Sequence, residues 1–141
     1  MSALENNPIA PRKVGQCLFI GILVLHLIAC AVLGFISLTN PQLAFETGFQ
    51  MPFDPDLRIF SVIIGMQVTF LGSMALLGII WTRRKSLYGI YVGTAVGIYL
   101  LVFGFIALLI LGDSNGLIVD SSRGLVTLIF AYMAFKELKN N

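Results

Sequence analysis

Arg123, Arg58 and His26 are the side chains with which this sequence could do chemistry, because each stands in or beside a long apolar run. An ionisable group inside a bilayer is a functional-site candidate by default. Twelve uncharged residues separate Arg123 from Lys136. In a helix the two cations are then about 20 Å apart, against a hydrocarbon core about 30 Å thick. Either both side chains snorkel to opposite interfaces, or Arg123 lies below the outer boundary and faces protein. Thr127, Ala131 and Ala134 share its side of the helix, which favours the second arrangement. Arg58 lies on the small-residue face of an earlier segment. Arg58, Arg123 and Thr127 thus outline an outward-facing polar vestibule, with Asp56, Asp113 or Asp120 as counter-charges. A lipid headgroup, a quinone or a small anion is what such a vestibule would take.

His26 sits mid-run, on the face that carries Gly15, Ala29, Cys30 and Ser37. It reads either as a neutral imidazole bonded to a neighbouring helix or as a further member of the ligand site. It is the only histidine, which excludes a bis-His haem or multi-His metal site within one chain. No cofactor is implied. Cys17 and Cys30 are about 20 Å apart on one helix and cannot bond to each other. There is no CxxC, no nucleophile–base pair and no phosphate loop, so enzymatic activity is not expected. Gln67, Tyr99 and Tyr132 fall near mid-depth, opposite the small residues of their own helices. A lipid-facing Gln is costly and hints at a partner.

The elements that position these groups are four apolar blocks. Hydrophobic residues make up 57% of the 141 positions and charged residues 11%, less than half the share of about 25% usual in soluble domains. Val14–Leu38, Ile59–Thr82 and Ser86–Gly112 contain no charge, and each exceeds the length of about 20 residues that crosses a bilayer. The fourth block, Leu117–Phe135, is long enough only with Asp120 and Arg123 inside it. The expected fold is all-α: a four-helix transmembrane bundle over 1–141, with helices near 14–38, 57–82, 86–112 and 117–138. Of nine cations, Arg12, Lys13, Arg83, Arg84, Lys85, Lys136 and Lys139 share one side, leaving Arg58 and Arg123 on the other. This bias predicts cytoplasmic N- and C-termini in an inner (plasma) membrane. The net charge of +2 gives no case for nucleic acid.

Leu27-Ile28-Ala29-Cys30 fits a lipoprotein cleavage box, but the apolar run continues past it, so the first block reads as a retained helix. Pro41 ends that helix. The segment Pro41–Phe53 reads either as helical turns lying at the headgroups or as a loop folded over the bundle mouth. Asp54-Pro55-Asp56 opens the second helix. Arg83-Arg84-Lys85 is a turn short enough to make helices two and three antiparallel neighbours. Gly112–Gly116 ends the third helix and turns. Gly89, Gly93 and Gly97 form GxxxGxxxG, a glycine-zipper pattern that Gly104 extends; Ser61, Gly65, Thr69 and Gly72 form a second stripe. Small residues allow close helix approach, so the two stripes are expected to pack on each other, with a homo-oligomer contact as the rival.

The layout resembles the DoxX-like group of small four-helix bacterial membrane proteins. Asn40-Pro41 after helix one, Gly48 in the loop, Leu57-Arg58 opening a Gly-bearing helix, the short basic turn and Gly112-Asp113 carry the resemblance. The group often has a charged residue in the third helix and an acid in the fourth. Here the third has none and the fourth has Glu137 at its end. The resemblance implies the fold and little about activity. With no catalytic group, the first expectation is an accessory or scaffolding subunit of a larger membrane complex, or a homo-oligomer. The alternative is a binding or transport module built on the Arg-lined vestibule.

Overall fold

The computed structural model describes residues 14–48, 54–55, 58–111 and 114–139. Four long helices carry the fold: α1 (Val14–Thr39), α3 (Arg58–Arg83), α4 (Leu87–Leu111) and α5 (Ser114–Lys139). A short α2 (Pro41–Leu43) and one wide turn, Ala44–Gly48, follow α1. Each long helix contains a span long and apolar enough to cross a membrane, and no strand occurs among the described residues.

Local chemistry sets the boundaries. Asn40 caps α2 by accepting the Leu43 amide at 3.2 Å, and Pro41 suits the first helical position. The described part of the Pro41–Phe53 segment is helical and packed on protein: Ala44 and Phe45 are buried, with the Phe45 ring 6.4 Å from that of Phe60. Positions 49–53 lie outside the described residues. So do 56 and 57, where α3 was expected to start. The basic turn closes α3 with Lys85 in the left-handed region (φ 56°), Lys85 N–H donating to Thr82 and Ser86 N–H to Trp81. That is a Schellman arrangement. Helix α5 begins at Ser114, earlier than expected. The polar Ser114-Asn115-Gly116 stretch, expected in the turn, is helical.

The helices form two tight pairs. Contact is most extensive between α4 and α5, then between α1 and α3; α3–α4 and α1–α5 meet over less. This corrects the expected meeting of the two small-residue stripes. The α3 stripe packs on α1. A Cβ added at Gly65 would stand 3.0 Å from Leu38, one at Gly72 3.0 Å from Cys30, and Ser61 donates to the Ser37 carbonyl at 3.0 Å. Thr69 meets α1 at Gly34. On α4 the stripe changes partner along its length: Gly89 lies on Gly78 and Thr82 of α3, Gly93 on the Phe19 ring of α1, and Gly97 and Gly104 on α5. A helix in a four-helix bundle has two neighbours and crosses them at an angle, so a long straight stripe cannot follow one partner. The complements, Gly34 on α1 and Gly124 on α5, stand outside both stripes. Gly124 meets the Gly97 carbonyl and Leu101.

Candidate functional site

The two pairs are joined through α1 and α5. Near the end that carries the described chain termini, Glu137 of α5 reaches the start of α1, where its carboxylate accepts the Gly15 amide at 2.7 Å and the Gln16 amide at 3.0 Å. The first amides of a helix lack intrahelical partners and form the positive end of its dipole, so a carboxylate is well placed there. Phe19 and Leu23, both fully buried, fill the next layer. Above them His26 and Thr127 meet at 2.7 Å, Nε2 to Oγ1, both buried. The Thr127 hydroxyl donates to the Arg123 carbonyl at 2.7 Å. Its one hydrogen is thereby used, so His26 Nε2 carries a proton and donates to Thr127. The Gly15, Gln16 and His26 hydrogen bonds tie α1 to α5 at the His26 layer and nearer the terminal end.

One turn beyond lies Arg123. Nine residues of α5 precede it, so it sits about 14 Å inside the start of its helix and about 5 Å from the helix midpoint. Its guanidinium is an electrostatic neighbour of His26 and Cys30 on α1. Its side chain is 33% exposed and stands 3.7 Å from Asp120 on the same helix. That is an ion pair too long for a hydrogen bond. Arg123 makes no side-chain hydrogen bond among the described residues, although a guanidinium has five donors.

The structure therefore brings together Arg123, Thr127 and His26 and leaves Arg58 out. Arg58 is exposed at the first position of α3. The level of Arg123 on α3 is that of Gly72, which packs on Cys30. Arg58 is fourteen residues before Gly72, about 20 Å along the bundle. The expected vestibule put both arginines at one mouth, but they occupy different depths. Of the proposed counter-charges, Asp120 is in place, while Asp56 and Asp113 lie outside the described residues. Glu137 was not singled out by sequence as a functional group. Its signal was its position, a lone acid among the terminal-end lysines. Cys30, one turn along α1 from His26, stands at the level of Arg123. No group of three His, Cys, Asp or Glu side chains among the described residues could hold a metal.

Replacing Thr127 with Val leaves the His26 N–H buried without its acceptor. The expected loss is about 1–2 kcal/mol, the upper range for membrane interhelical bonds, read by equilibrium unfolding in bicelles.

What the fold defines is a class, an all-helical protein with four helices able to cross a membrane. Comparison with known proteins finds no matching family model, no matching relative and no matching solved structure.

Proposed function

We propose that the chain is a multi-pass protein of the inner (plasma) membrane with cytoplasmic termini, and that it is a binding module. Its site is the intramembrane cluster of Arg123, Asp120, Thr127 and His26, and its ligand carries an anionic or hydrogen-bond-accepting head. The carrying observation is Arg123 near the midpoint of its helix with no side-chain hydrogen bond among the described residues. A charged group so placed is expensive, and a ligand acceptor would satisfy it. The glycine stripes, which favoured a homo-oligomer or scaffold, are covered within the chain. The reading as an accessory subunit of a larger complex keeps one support, Tyr132, which is 69% exposed at a helical position.

Thermal unfolding in nanodiscs tests the binding reading with two probes, sulfate and palmitate. At least one is expected to raise the midpoint of the wild type and of Arg58→Met but not of Arg123→Met. Equal shifts in wild type and Arg123→Met, or no shift with either probe, would overturn it.

A further inference from the structure

Helices α3 and α4 are joined by Arg84-Lys85-Ser86 alone, a turn too short to leave the membrane surface. The spans on either side, Arg58–Arg83 and Leu87–Ile106, are each long and apolar enough to cross a bilayer. The turn therefore stands at the headgroups whichever way the chain is oriented. Arg83, Arg84 and Lys85 are consecutive and exposed, and none makes a side-chain hydrogen bond or ion pair among the described residues. No described acid answers them. Glu46 and Asp54 belong to the opposite end of the bundle, and Asp120 pairs with Arg123. Glu137, at the same end as the turn, is engaged by the Gly15 and Gln16 amides.

The turn also holds these charges in place. Lys85 N–H donates to the Thr82 carbonyl and Ser86 N–H to the Trp81 carbonyl, both at 2.9 Å, and the Ser86 hydroxyl accepts the Tyr88 amide at 3.3 Å. A backbone already ordered loses little further freedom on binding. Just inside the cations, the rings of Trp81 and Tyr88 meet edge to face with centroids 6.3 Å apart. Such rings settle at the level of the headgroups. The Trp81 indole N–H and the Tyr88 hydroxyl make no hydrogen bond among the described residues. Cations outermost and neutral donors beneath match the order in which a phospholipid presents its acceptors, phosphate first and ester oxygens below. A guanidinium can hold two phosphate oxygens at once.

We propose that the α3–α4 turn binds an anionic phospholipid, with Arg83 and Arg84 on the phosphate, Lys85 adding charge, and Trp81 and Tyr88 donating to the ester oxygens. This rests on the membrane reading above and not on the Arg123 site. Gly72, at the level of Arg123, is eleven residues before Arg83, about 16 Å along α3.

The test is native mass spectrometry of the full chain in detergent, titrated with phosphatidylglycerol or phosphatidylcholine. A cation near an anionic surface contributes a factor of about five, so the wild type is expected to bind phosphatidylglycerol about tenfold or more tighter. Arg83→Gln/Arg84→Gln/Lys85→Gln is expected to lose that preference. Arg123→Met and Lys136→Gln/Lys139→Gln are expected to keep it. Arg83→Lys/Arg84→Lys preserves the charge that orients the chain, and is expected to lower the preference about threefold, because Lys meets phosphate as a point charge. Tyr88→Phe is expected to weaken both lipids equally, since their ester oxygens are the same. Equal binding of the two lipids by the wild type would overturn the proposal. So would a loss in Lys136→Gln/Lys139→Gln as large as in the triple variant, which would mean diffuse attraction to the whole end. If the triple variant does not fold, an unchanged preference in Arg83→Lys/Arg84→Lys refutes the phosphate contact.

Discussion

Gly89→Ala is expected to destabilise the protein by about 3 kcal/mol, the upper end for overpacking, although it adds one methyl group. The new Cβ would run into the Thr82 backbone nitrogen and hydroxyl and stand 2.8 Å from the Gly78 carbonyl. Two of these three obstacles are backbone, so no side-chain rotation relieves them. The helices cannot part to make room either, because Arg84-Lys85-Ser86 joins them directly below. Gly21→Ala is the matched control: nothing lies within 4 Å of its Cβ position. Its stability is expected to stay within about 0.5 kcal/mol of wild type. Reversible unfolding of both variants in bicelles compares them, and equal stability would show that α3 and α4 do not touch at Gly89.

Glu137→Ala is the second large effect expected, about 2–3 kcal/mol, because the helix start it caps is half-buried against α5. The substitution strips the Gly15 and Gln16 amides of their acceptors. Gly15 brings that helix start so close to α5 that a Cβ there would meet Met133 at 2.9 Å, which leaves little room for solvent. Glu137→Gln keeps one acceptor oxygen and is expected to lose about half as much. Hydrogen exchange at the first turn of α1 reads the effect locally. Protection unchanged in Glu137→Ala would show that the carboxylate is not the cap.

Apolar run length was enough to find the long helices, since a run of more than about 20 apolar residues is long enough to cross a bilayer as one helix. Which helix meets which was not legible. Gly65 and Gly97 advertise close approach but carry no mark of the partner, and the partners, Leu38 and Gly124, look like ordinary residues of apolar runs. The extent of α5 was hidden for a related reason: Ser114-Asn115-Gly116 reads equally as a turn or as a helix start, and hydrophobic pattern does not separate them. In the site, His26, Thr127 and Arg123 were legible because a polar group in an apolar run stands out by itself. Arg58 stood out in the same way and misled, because sequence shows that a charge is present but not its depth relative to another helix. Glu137 had the opposite fault. An acid near a helix end among lysines resembles solvated surface, and only the register of α1 against α5 shows what it holds.

The central claim is that Arg123 lies at mid-membrane depth within the bundle rather than at an interface. Its most direct test is power-saturation EPR of a nitroxide attached in Arg123→Cys, with Cys17→Ser and Cys30→Ala removing the native thiols, in nanodiscs. The expected depth is within about 10 Å of the bilayer centre, well inside a hydrocarbon core about 30 Å thick. A nitroxide at headgroup depth, as accessible to a water-soluble nickel chelate as one placed at exposed Arg84, would contradict it.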